Sequence, residues 1–286
     1  MASTWTGALA NRCDDVSGTN DGVGYVQAPG GERLFVVRHQ PADAGPRAVV
    51  VCPSICNDFL VNYRREVVLA RTLAGRGIDT VRFHYRGTGN SDGADEALSF
   101  DSMVDDLTTV IERVVDPAAA VTLVATRFSG VVAAAAAARR GIARLALVEP
   151  TTGLDRFFKE AWRARHLRTL TASETSNVPA PDLHESLGRQ GWVDILGFAV
   201  HQRLVASAAG RSLVDELGPE VGDVLVYQFG GRSLRPDLVR LAEALRTRDV
   251  RVTTEVNPDT QAWWVLDDVA RNDGPFVDRV TDWVTA

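Results

Sequence analysis

Residues 121 to 140 constrain this chain more than any other stretch. Val121-Thr122-Leu123-Val124-Ala125 reads as a buried strand, Thr126 to Gly130 as a tight turn, and Val131 to Arg140 as an alanine-rich helix. A turn of this kind presents one side chain at the carboxyl edge of a sheet, where open α/β sheets bind their ligands. That residue is Arg127, or Phe128 if the turn registers one residue later.

The segments around it keep a strand–helix rhythm. Gly24–Ala28 and Leu34–His39 read as an antiparallel opening pair, and Arg47–Pro53 as a continuous apolar strand of the type buried in parallel sheets. Tyr63–Ala74 has helical spacing, Asp79–Tyr85 is strand-like, and Ser99–Val115 is the clearest amphipathic helix, stopped by Pro117. Arg144–Val148 is a further strand, and the rhythm resumes with Asp223–Phe229, Leu238–Arg246, Val250–Val256 and a last helix Phe276–Val284. The expected fold is therefore α/β, a mostly parallel, doubly wound sheet. Residues 154–218 break the rhythm with aromatic and arginine-rich helical segments, including one near Trp192–Ala208. They are expected to form a helical lid on a core of residues 22–153 and 219–286, with residues 1–21 as a flexible leading segment.

Composition enters mainly through what it excludes. With 45% hydrophobic and 24% charged residues among 286, a sizeable core can be buried. A formal net charge of −6 offers no basic footprint for nucleic acid or an anionic membrane. No apolar run approaches the roughly 18 residues of a membrane span. Cys13, Cys52 and Cys56 lie in no zinc-like or redox-like spacing, which suits a reducing cytoplasm. No metal-ligand cluster, phosphate loop or dinucleotide fingerprint stands out, so no cofactor is expected.

Three local matches make this order resemble the α/β-hydrolase superfamily over residues 22–286. Val49-Val50-Val51-Cys52-Pro53 running into Ser54-Ile55-Cys56-Asn57 occupies the place of the oxyanion loop. Phe83-His84-Tyr85-Arg86-Gly87-Thr88-Gly89-Asn90-Ser91 looks like the superfamily's F-D-x-R-G-x-G-x-S turn, with His84 where aspartate is usual. The strand–turn–helix at Arg127 is the third, in the place of the nucleophile elbow. Ala125 to Ser129, with Glu149-Pro150-Thr151-Thr152-Gly153 leading into Phe157-Phe158, resembles the exosortase-A-associated hydrolase 2 proteins more closely.

The resemblance implies a Ser–acid–His triad in that chain order, and the three positions depart from it. The elbow holds Arg127 or Phe128. The loop after Asp223–Phe229 reads Gly230-Gly231-Arg232-Ser233, with no carboxylate before Asp237. The loop 257–273, where the histidine belongs, contains none, and the last of the five histidines is His201. A guanidinium stays protonated and only donates hydrogen bonds, so Arg127 cannot replace a serine; it can bind a carboxylate or enolate, or pair with a neighbour such as Glu149 or Asp58.

The candidate catalytic residues are thus Arg127, as an oxyanion-binding cation, and Glu149, as a base at the sheet edge. Candidate substrate-binding residues are Ser54, Cys56 and Phe128 around the elbow, Trp162, His166, Trp192 and His201 in the insertion, and Trp263 and Trp264 where the histidine is missing. Ser129 reads as a small residue for close packing or a helix cap, and His84 as a support of its own turn. Three functions remain open: a cofactor-independent isomerase or epimerase acting beside a carbonyl, like the triad-less epimerases of bottromycin-type peptides; a hydrolase or acyltransferase with a displaced Ser129 or Cys56; and a non-catalytic protein that binds a ligand. The expected partners are a small-molecule or peptide substrate, with a carrier protein or a second copy of the chain as further candidates.

Overall fold

The computed structural model describes residues 19–172, 182–258 and 274–286. Eight strands form one sheet in the order β1-β2-β4-β3-β5-β6-β9-β10. They are β1 Thr19–Gln27, β2 Arg33–Pro41, β3 Arg47–Cys52, β4 Asp79–Phe83, β5 Ala120–Thr126, β6 Arg144–Val148, β9 Asp223–Phe229 and β10 Arg251–Asn257. Only β2 runs antiparallel to its neighbours β1 and β4; the pairs from β4 through β10 are parallel. The mostly parallel α/β architecture expected from the sequence is the one observed. β1 begins at Thr19, inside the segment read as flexible, because Thr19 to Gln27 pairs in continuous register with Pro41 to Arg33.

The parallel strands are buried on both faces, which explains why β3, β5, β6 and β9 are apolar runs rather than alternating ones. α2 (Phe100–Val114) and α3 (Ser129–Arg140) pack on one face; α1 (Asn57–Gly75) and α9 (Gly274–Thr285) pack on the other. α2 starts where its sequence says it should. Ser99 accepts from the Ser102 N–H and the Ser102 hydroxyl accepts from the Ser99 N–H, a reciprocal cap. α3 can lie against β5 because seven of its positions are small alanine or glycine residues, from Gly130 to Ala138.

Between β6 and β9 the chain leaves the sheet for α4 (Leu154–Ala172), α5 (Leu183–Gln190), a hairpin of β7 (Trp192–Ile195) and β8 (Phe198–His201), α6 (Gln202–Ala208) and α7 (Leu213–Glu216). The hairpin corrects the helix expected near Trp192–Ala208. Trp192 to Ile195 alternates exposed and buried side chains, and Leu196-Gly197, both at positive φ, makes a two-residue turn whose twist suits antiparallel strands. Helix resumes only at Gln202. Trp263 and Trp264 lie outside the described residues, as do residues 1–18 and the Val178–Pro181 loop.

Candidate functional site

The elbow register is decided by the backbone. Arg127 follows β5 at φ 53°, the left-handed conformation that places one side chain over the strand ends, while Phe128 is helical at φ −51°. The Arg127 N–H donates to the Val148 carbonyl at 3.0 Å, tying the turn to the end of β6. Two neighbouring strand ends bend the same way: Cys56, just before α1, has φ 55° and Glu149, just after β6, has φ 48°. Three strained non-glycine residues therefore meet at the carboxyl edge of the sheet.

The Arg127 guanidinium is buried, with 5% of the residue exposed, and its charge is answered twice. Nε donates to Asp58 Oδ2 at 3.1 Å, from α1, and Nη2 donates to Glu160 Oε2 at 3.0 Å, from α4. The same group lies 5.7 Å from the centre of the Phe157 ring. Burial opposes the charge on Arg127, but the two carboxylates outweigh it and hold the arginine above its ordinary range. Their own protonation is pushed apart. Burial raises Asp58, with Arg127 only partly offsetting it. Burial also works against the charge of Glu160, but Arg127 and Arg156 prevail and keep it below the usual glutamate value. Arg156 reaches Glu160 at 2.7 Å and Asp237 at 2.8 Å, which extends the ionic chain from α4 to α8 (Pro236–Arg246).

Beside this cluster lies a cavity of about 50 Å³, lined by Cys56 and Asp58 below and by Phe157, Ala161, Ala164, Ile195 and Leu196 from the insert. A larger concavity of about 630 Å³ sits at the opposite end of the strands, around Arg47, Val121 and Arg144. The small cavity is the one at the elbow.

The residues singled out from the sequence divide by location. Arg127 and Cys56 line the elbow cavity. Phe128 sits beneath it, fully buried edge-to-face against Phe157 and Phe158 at 5.1 and 5.7 Å. Ser54 is buried beside Cys56, and its hydroxyl has no hydrogen-bond partner among the described residues. Glu149 is fully buried: its carboxylate accepts from the Phe229 N–H and from Arg235, so both oxygens are engaged in holding the β9 loop to the end of β6. Trp162 is nearly buried, with the Arg165 guanidinium stacked 4.9 Å over it, and His166 is half-buried further along α4. Neither lines the cavity. Trp192 and His201 face each other across the hairpin at 6.4 Å, with Trp192 41% exposed, and neither lines the elbow cavity. The Nε2 of His201 stands 3.2 Å from Asp95 Oδ1, a contact between the insert and the core.

The alternative nucleophiles are equally placed. Ser129 Oγ donates to the Pro53 carbonyl, and Tyr85 OH lies 3.3 Å away, so this fully buried hydroxyl pins α3 to the end of β3. The Cys56 thiol is held far above its usual range by burial and by Asp58, which leaves it un-ionised. His84 supports its turn as expected. Its Nδ1 accepts the Asn90 N–H at 2.9 Å, and burial among Phe35, Phe59 and Tyr63 pushes its pKa down to about 4. Where an acid would stand after β9, Gly230 and Gly231 turn at positive φ and Gln228 clamps the loop by bonds to the Gly230 and Ser233 carbonyls.

Glu160 is the site residue that sequence reasoning missed. Its only local sign is Arg156 four residues earlier, which any solvated helix face also shows. No helix among the described residues is long and apolar enough to cross a membrane.

An eight-stranded sheet in this order, an elbow after β5 and an insertion after β6 together define an α/β-hydrolase fold. Residues 45–188 match the sequence model of the serine aminopeptidase S33 family, and the chain belongs to that family. No curated protein matches it in sequence. Solved structures share the fold at low identity. Mouse alpha/beta hydrolase domain-containing protein 10 is 14% identical with a TM-score of 0.62, covering 92% of this chain and 98% of that one. An esterase from Exiguobacterium antarcticum is 18% identical at 0.59, covering 92% and 99%. DcsB, in complex with its substrate analogue, is 18% identical at 0.60, covering 93% and 98%.

Proposed function

We propose that this family member has exchanged serine chemistry at the elbow for proton transfer, acting as a cofactor-independent isomerase or epimerase beside a substrate carbonyl. One observation carries the reading: Arg127 occupies the elbow between two carboxylates whose protonation is driven in opposite directions. Paired titratable groups pushed apart are the pattern of an acid and a base at one centre. Glu160, kept ionised, takes the proton next to the carbonyl. Asp58, whose burial raises its pKa, returns a proton after taking one up from water. Arg127 stabilises the negative oxygen that develops between those steps. Residues of the insert cover the centre like a lid, and the partly apolar wall selects a partly apolar substrate, a peptide or a related natural product.

The experiment is isotope exchange. Purified protein is incubated in deuterium oxide with a panel of N-acyl dipeptides, and each is followed by mass and by chirality. The expected result is uptake of one deuterium without cleavage, slowed by about 10²-fold in Glu160→Gln. Cleavage without exchange would overturn the reading.

A second reading is hydrolysis, which the family favours, with Cys56 as nucleophile from its place in the elbow cavity. Its un-ionised state and the lack of a histidine after His201 count against it. Ester turnover lost in Cys56→Ala would select it.

A further inference from the structure

Glu160 is an unusual partner for an elbow residue, because it belongs to the insert and not to the sheet. Arg127 is fixed to the core twice, through its own strained turn and through Asp58 on α1. Its bond to Glu160 is an ionic tie between the elbow and α4, beside the packing of Phe157 and Phe158 on Phe128, and Arg156 and Asp237 extend it. A planar guanidinium binds carboxylates in a defined geometry whatever molecule carries them. The cavity next to the ion pair measures about 50 Å³, enough for a carboxylate and little more, and its remaining wall is the apolar underside of α4 and the hairpin turn at Ile195 and Leu196. Glu160 has 34% of its side chain exposed, against 11% for Asp58, so it is the partner that can leave.

We infer that Glu160 is an internal stand-in for a ligand carboxylate: a substrate bearing a carboxylate and an aliphatic body displaces it from Arg127, and the ionic tie between the elbow and α4 opens as the ligand seats. This inference rests on the proposed site and names its substrate class, but not its reaction. Exchanging one carboxylate for another leaves the charge on Arg127 answered, and Glu160, which keeps its bond to Arg156, is then free of Arg127 to act as the base of the proposed reaction. Removing the internal competitor therefore strengthens binding of the external one.

The test is calorimetric titration of the intact protein with hexanoate, with hexanamide as the uncharged control, on the parent and on Glu160→Gln. The expected result is hexanoate binding at least tenfold tighter in Glu160→Gln and no comparable gain for hexanamide. Arg127→Lys, which keeps the charge and loses the fork, is expected to abolish the preference for hexanoate. Equal affinities in parent and Glu160→Gln, or equal gains for acid and amide, would overturn the inference. Deuterium exchange is absent from this assay. A protein that binds hexanoate as described but exchanges no proton would refute the reaction and leave the competition standing.

Discussion

The ion pair at the elbow can be weighed by replacing Arg127 with methionine. Methionine keeps the Cβ and the strain at φ 53°, and roughly fills the volume, so the change isolates the charge. It leaves Asp58 buried without its cation. Breaking one side of a buried pair costs about 3–5 kcal/mol, whereas replacing both sides by neutral groups is often close to neutral. Glu160 retains Arg156 and is partly exposed, so its loss adds less than about 1 kcal/mol. With about 2.1 cal/mol/K of unfolding entropy per residue over 286 residues, 4 kcal/mol corresponds to roughly a 7 °C fall in Tm. Arg127→Met/Asp58→Asn should recover at least half of that, a coupling of about 2 kcal/mol. Because burial raises the Asp58 pKa, the orphaned carboxyl also protonates as the pH falls, and the deficit of the single variant should shrink between pH 8 and pH 5. Calorimetric melting of parent, both single variants and the double variant at the two pH values measures all of this. A single variant within 1 kcal/mol of the parent, or a double variant no better than the single, would refute the reasoning.

Other consequences follow from neighbouring groups. Glu66 is buried and titrates near 7 against an ordinary 4.5, so the folded state holds the proton more tightly and stability falls as the pH rises from about 4.5 to about 7. That difference corresponds to about 3 kcal/mol; the gap between parent and Glu66→Gln in urea unfolding should change by that order between pH 4.5 and pH 7.5, and a constant gap would refute it. Ser129→Ala should cost about 1 kcal/mol through the lost bond to the Pro53 carbonyl and leave every activity intact, with no fluorophosphonate labelling in either protein; labelling lost on this substitution would place a nucleophile there. Gly87→Ala should destabilise by about 2 kcal/mol or more in thermal melts, because φ is 67° and its Cβ would stand 2.6 Å from the Ala94 carbonyl oxygen.

Much of this protein was legible along the chain because its signals are local. The apolar runs of β3, β5 and β6, the Ser99 cap of α2 and the glycine turn at 87–89 each follow from neighbours within a few residues, and their order alone pointed to the sheet. That an arginine occupies the elbow was visible too, to within one residue. The hairpin at Trp192–His201 was less so, since four-residue strands carry too little alternation to compete with a helical reading. What surrounds Arg127 was decided by tertiary structure. Asp58 is 69 residues away and Glu160 is 33, and no periodicity links three residues whose meeting depends on how α1 and α4 pack over the strand ends. Sequence narrowed the elbow residue to Arg127 or Phe128; the folded backbone chose Arg127, and only packing determined that its charge is already answered, because Coulomb energy depends on distance in space and burial, and neither is a property of spacing along the chain.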